Sequence, residues 1–202
     1  METRSRARKL HRLLGIVLLL PFLSWAATGF VFFLKPGYAA AYEILPIKTY
    51  PLVEPCMVQP AGGWLEVRCL RTVLGNHLLA RTGADWRQLT PADGRPRERP
   101  SAREIELLLE DAFRANSPRY GSVASLSGLT ARTTTGVEVT LDWDRMSLQQ
   151  RGRDTDRIDL LYRIHYLQWT GFARVDQLFG GIGLALVLAL TLLGARLAFR
   201  RG

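Results

Sequence analysis

Two runs without a charged residue, Leu13–Leu34 and Leu178–Ala195, constrain what this chain can fold into more than anything else in it. The first is 22 residues long. A helix of that length spans about 33 Å, against a bilayer hydrocarbon core of about 30 Å. Its seven Leu, one Ile, two Val and four Phe favour insertion and outweigh Pro21, Ser24 and Thr28. Pro21 is expected to kink it. The second run has 18 residues, slightly short. Arg196 can snorkel, however, and Leu197–Phe199 can extend the span. A cleavable signal peptide would carry an apolar core of only about 7–15 residues. The first run therefore reads as a retained anchor, although Ala39-Ala40-Ala41 has the look of a cleavage site.

The net charge of +9 suggests nucleic acid until its distribution is read. Arg4, Arg6, Arg8, Lys9 and Arg12 precede the first run, and Arg196, Arg200 and Arg201 close the second. The residues between them leave only +2. Basicity that flanks apolar runs on one side is the positive-inside pattern, with both termini cytoplasmic. A nucleic-acid binder needs a basic face on its folded domain, so nucleic acid is excluded as a partner.

Between the runs the pattern changes to that of a small folded domain. Lys35–Pro55 is an exit segment rich in proline, with Tyr38 and Tyr42 at interfacial positions. Alternation and turn signals predict strands at Trp64–Leu70, His77–Arg81 and Trp86–Leu89. Ser101 and Glu104 form a capping box at the head of an amphipathic helix over Ala102–Asn116. Further strands are expected at Ser122–Leu126, Leu129–Thr134, Val137–Trp143 and Ser147–Arg151. The order is strands, helix, strands, which predicts an α+β domain with one antiparallel sheet and one packed helix. Asp154 is expected to cap a helix reaching about Trp169, and Gly171–Asp176 to form a bend before the second span. The organisation is thus a basic leader 1–12, a span 13–34, an α+β domain 35–153, an amphipathic helix and bend 154–176, a span 177–199 and a tail 200–202.

Cys56 and Cys69 are the only cysteines, and both lie between the spans. An extracytoplasmic segment permits a disulfide between them, the alternative being two unrelated core thiols. Of the three histidines, His77 starts a strand and reads as surface or sheet packing. His11 stands among cations just before the first span. His165 is the sharpest candidate, because it lies between Ile164 and Tyr166 on an apolar helix face. It reads either as a buried, hydrogen-bonded imidazole or as a metal or haem ligand. His11 and His165 should lie about 30 Å apart across the bilayer, so one chain cannot put both on one haem. The pairs Asp142/Asp144 and Asp154/Asp156 read as turn and capping residues. No nucleophile elbow or Walker motif occurs, and the glycines of Gly180-Gly181-Ile182-Gly183 belong to helix packing.

The entry Lys9-Leu10-His11-Arg12-Leu13-Leu14-Gly15, followed by Ser24-Trp25 and Thr28-Gly29, and the later RIDLLYRIHYLQWTG of Arg157–Gly171 resemble the PepSY-associated transmembrane family of bacterial inner-membrane proteins. The resemblance covers about 60 residues, and the middle is compatible with a PepSY-like α+β module. It implies two transmembrane helices flanking a small periplasmic PepSY-like domain. It also implies a binding or accessory role toward a periplasmic protein or peptide, within an assembly or a homo-oligomer, with membrane lipid as surroundings. Larger members resemble haem-dependent ferric reductases. By that resemblance His11 and His165 are candidate ligands of haem b, and the alternative function is an electron-transfer or ferric-reductase component.

Overall fold

The computed structural model describes residues 2–53, 55–56, 58 and 62–199. It contains two compact units, one of residues 1–38 and 156–202 and one of residues 39–155. In chain order the elements are α1 (Glu2–Leu34), α2 (Tyr38–Ala41), β1 (Glu66–Thr72), β2 (Gly75–Thr82), β3 (Asp85–Leu89), α3 (Ala102–Phe113), a 3-10 turn (Arg114–Asn116) and α4 (Ser117–Tyr120). They continue with β4 (Val123–Ser127), β5 (Thr130–Thr133), β6 (Glu138–Asp142), β7 (Ser147–Arg151), α5 (Arg153–His165) and α6 (Ala173–Phe199). The fold class is mixed α+β, with two long apolar helices and two small antiparallel sheets.

In the helical unit α1 and α6 pack together and run antiparallel. Near one end the His11 ring lies against the backbone of Gly194, and Leu18–Trp25 shares a cleft with Gly180–Val187. Both helices leave large apolar side chains open. Leu20 is 71% exposed, Leu184 73% and Phe199 89%. Water would penalise each such side chain by about 1.5–3 kcal/mol relative to burial, so these two helices are candidate membrane spans. The leader does not stand apart from the first span, since α1 is helical from Glu2 onward. Asp176 belongs to the first turn of α6 and not to a bend before it. Its carboxylate accepts from Thr170 N–H at 3.0 Å and from Thr170 Oγ1–H at 2.8 Å. An acidic group near a helix N-terminus also complements the helix dipole.

The other unit holds its strands in two sheets, of order β1-β2-β3 and β4-β5-β6-β7, where a single sheet was expected. The break falls where β3 ends. Gln88 O accepts from Arg97 N–H at 2.9 Å and Leu89 bridges to Pro96, so the returning chain covers that edge before entering α3. All seven expected strands are present. The capping box also forms, with Ser101 N–H donating to Glu104 Oε2 at 2.8 Å and Glu104 N–H to Ser101 Oγ at 3.4 Å. The helix Ala102–Asn116 is α only to Phe113 and finishes as a 3-10 turn.

α3 buries Ile105, Leu108, Leu109, Ala112 and Phe113 against Ala131, Val139 and Leu141 of the four-stranded sheet. β2 is covered on both faces. Leu79 joins this main core, while Leu78 and Ala80 join Leu89, Cys56, Trp64 and Cys69 in a second cluster. That double coverage is why β2 is buried almost continuously where strict alternation would leave one face to solvent.

Candidate functional site

His165 is the last residue of α5. The helix stops there, short of the expected Trp169, and Leu167 turns the chain with a φ of 57°. The His165 ring lies against α1. Its Nδ1 is 2.8 Å from Thr28 Oγ1, and a Cβ added at Gly29 would come within 3.9 Å of its Cε1. That is ordinary van der Waals spacing, so the ring lies close along the helix surface at Gly29. The ring stacks on Trp25 with centroids 5.4 Å apart and an interplanar angle of 16°. Phe32 and Tyr166 meet it edge-on at 5.0 Å and 5.3 Å.

The hydrogen bonds assign the tautomer. Thr28 Oγ1 lies 2.8 Å from Ser24 O and 3.1 Å from Trp25 O, and a carbonyl can only accept. The one hydroxyl proton goes to that backbone, so Thr28 accepts from His165 Nδ1–H. The lone pair then resides on Nε2. Among the described residues no hydrogen bond reaches Nε2. His165 lines a cleft of about 630 Å³ between α1 and α6 with Leu18, Phe22, Trp25, Tyr166 and Gly183. A more polar cleft of about 480 Å³, with Arg163, Gln168, Asp176 and Gln177, adjoins it through the shared Tyr166 and Gly180.

His165 sits beside Thr28, six residues inside the end of the apolar run. That is a depth of about 9 Å along a helix. Thr28 is the reason, since it offers a hydroxyl within the run. His11 occupies the other end of the helix pair. A Cβ on Gly194 would meet its Cε1 at 3.1 Å, and its Nδ1 is buried with no hydrogen-bond partner among the described residues. Seventeen residues of α1 separate it from Thr28, about 25 Å. The two imidazoles do not meet. One chain thus gives a haem one axial nitrogen, and the cleft around His165 is lined by no cation for its propionates. The described residues do not complete a haem site.

His77 is not at the surface. It is 1% exposed, in the main domain's interior. Gln88 Nε2–H donates to Trp143 O at 2.7 Å, which turns Gln88 Oε1 toward His77 Nδ1 at 2.9 Å. The shorter contact, to Gln88 Oε1, places the proton on Nδ1 with Arg97 Nη1 beside it at 3.1 Å, and Nε2 accepts from Thr72 Oγ1 at 2.7 Å. Thr72 in turn accepts from Leu74 N–H at 3.1 Å. Every group in this relay is satisfied by a neutral imidazole. Burial pushes the His77 pKa below the usual histidine value against the opposing hydrogen bond to Gln88, and the nearby Arg97 guanidinium adds a smaller lowering effect.

Two features carried no signal in the sequence reading. Arg119, 12% exposed, is within 3.3 Å of Glu43 Oε2 and donates to Asp154 Oδ2 at 2.8 Å and to Gln150 Oε1 at 2.7 Å. Asp154 is consequently the acceptor of an ion pair in the first turn of α5 rather than its cap. Burial alone would raise the Asp154 pKa, but the bonds from Arg119 and Thr155 N–H hold it below the ordinary carboxylate value. Asp111, 6% exposed, accepts from Tyr50 Oη at 2.8 Å and from Lys48 Nζ at 3.1 Å. The two cysteines form a disulfide, with Cα atoms 6.3 Å apart. Among the described residues no three His, Cys, Asp or Glu side chains gather as a metal site.

Comparison with protein-family profiles, curated proteins and solved structures returns no match to this chain.

Proposed function

We propose that this chain is a two-span protein of the bacterial inner membrane that holds a small PepSY-like domain on the periplasmic side, where the domain binds a protein or peptide as an accessory of an assembly. The observation that carries the binding role is an exposed apolar row on an edge strand. Leu65 just before β1 and Val67 within it, 65% and 38% exposed, point to one face of the three-stranded sheet. Cys69, next on that face, is tied by the disulfide, so the row is held rather than loose. An edge strand with apolar side chains and open backbone groups is what an extended peptide pairs with. A photo-crosslinking residue at Val67, in the native membrane, should capture a discrete partner. The same residue at the buried position Val139 should capture none. Absence of any adduct at both Leu65 and Val67 under native expression would count against this reading.

The redox alternative rests on His165 alone. A haem-bound form needs a second copy or another subunit for its other ligand, and it predicts a Soret band in the purified protein that His165→Ala abolishes. A colourless protein from haem-replete cells rejects it.

A further inference from the structure

The cleft beside His165 has three properties that together select a ligand. It lies about 9 Å inside the apolar run, beneath the level where phospholipid headgroups sit. Its polar lining side chains are Trp25, His165 and Tyr166; the other lining residues are apolar or glycine. The imidazole presents Nε2 as a hydrogen-bond acceptor, because Thr28 holds the proton on Nδ1. A ligand that satisfies all three is membrane-soluble, carries a hydroxyl donor and has a flat ring to lie among aromatic side chains.

We propose that this cleft binds a hydroquinone with an apolar tail, its ring among Phe22, Trp25 and Tyr166 and one hydroxyl donating to His165 Nε2. Phospholipids fit less well. Their phosphate and ester oxygens are acceptors and would face the imidazole lone pair. Haem would find one axial nitrogen here, and the nearest cation, Arg163, lines the adjoining cleft and not this one. Gly180 leaves open space where a Cβ would project, and the exposed Leu184, Leu188 and Leu192 continue along α6 as a track for the tail. Only binding is inferred, and no electron transfer is assigned. The site rests on α1 and α6 being membrane spans, as proposed above.

The test uses the full chain in nanodiscs and a decyl-substituted benzohydroquinone under anaerobic reducing conditions, with bound probe measured after separation from free lipid. Saturable binding of one probe per chain is expected. The dimethyl ether of the probe, which has no donor, should bind about fivefold more weakly, the worth of one hydrogen bond. His165→Phe keeps an aromatic ring and removes the acceptor. It should weaken the hydroquinone by a similar factor and leave the ether unchanged. Gly180→Leu fills the cleft without touching His165 and should weaken both. Equal affinity of hydroquinone and ether for the unmodified protein overturns the proposal, and so does binding that never saturates or a Soret band at stoichiometric haem. The comparison of probe with ether needs no variant, so it stands even if His165→Phe misfolds. A failure of the spans themselves would show in the fusion experiment below and not in this ratio.

Discussion

At the scale of single residues, the three histidines divide by what their ring nitrogens find. His77 spends both on the buried relay through Thr72 and Gln88. Its folded pKa is depressed, so it stays neutral where the unfolded chain takes up a proton. The stability it contributes is fully present above the ordinary histidine value of about 6.5 and is lost as pH falls from there toward the folded value. Thermal melts of the full chain in detergent should therefore fall between pH 6.5 and 5. His77→Phe should flatten that slope and cost about 1–3 kcal/mol at pH 8, because Gln88 Oε1 is left buried without a donor. An unchanged acid slope in the variant would place the titration elsewhere. The capping box makes a smaller claim: Ser101→Ala should cost about 1 kcal/mol in urea unfolding. His165 stood out in the sequence because an imidazole on an apolar helix face is costly unless something receives it. That Thr28 receives it was not legible, although Thr28-Gly29 is part of the motif that carries the resemblance. A threonine in an apolar run bonds its own backbone by default, and only the folded chain brings residue 165 to it. For His77 the sequence left surface and sheet packing open, and Gln88 and Trp143 closing over it decide for packing.

At the scale of elements, local pattern carried the strands and α3, and partner choice was what it lacked. Each expected strand is marked by alternation and a turn, which are short-range signals. Whether β3 pairs with β4 is decided by Arg95–Arg97 folding back on Thr90 and Gln88, and no periodicity encodes that. Arg119 shows the same limit. It is one arginine among 24 in the sequence, yet it joins Glu43 before β1, Gln150 on β7 and Asp154 in α5. Arg119→Met removes the guanidinium and leaves two carboxylates half-covered, so it should destabilise the domain by about 2 kcal/mol. Adding Asp154→Asn should cost less than the sum of the two single changes, because both remove the same bond. Strict additivity in chemical unfolding would mean that the bond contributes little. The disulfide is a second long-range tie. Its sequence separation of 13 closes a short loop, and Cys56→Ser with Cys69→Ser should cost about 3 kcal/mol. The loss should appear first in the cluster of Leu78, Ala80 and Leu89 that packs on the cysteines, read as faster amide exchange in β2.

At the scale of the whole molecule, the organising fact is that the two helices with the most exposed apolar surface flank, in sequence, a domain with a buried core of its own. α1 and α6 run antiparallel, with His11 near the first turns of one and Gly194 near the last turns of the other. If both cross a bilayer, the two basic ends share one side and residues 39–155 share the opposite side. In the proposed orientation the arginines face the cytoplasm, as the positive-inside rule expects: Arg6, Arg8, Lys9 and Arg12 precede the run in α1, and Arg196 follows that in α6. The disulfide agrees with this orientation, because an oxidising compartment keeps it closed. Alkaline phosphatase, which is active only once exported and oxidised, should therefore be active when fused near Asp93 and inactive when fused after Gly202. Replacing Arg6, Arg8, Lys9 and Arg12 by Gln should reduce the activity of the Asp93 fusion, since it removes the charge that holds the first span's orientation. Replacing Lys35 alone should not, because it lies at the opposite end of that run. Equal activity at both fusion points would mean that the second helix does not return the chain across the membrane. The reversed pattern would turn the domain, its disulfide and its exposed β1 row toward the cytoplasm, and the partner sought by crosslinking would then have to be sought there.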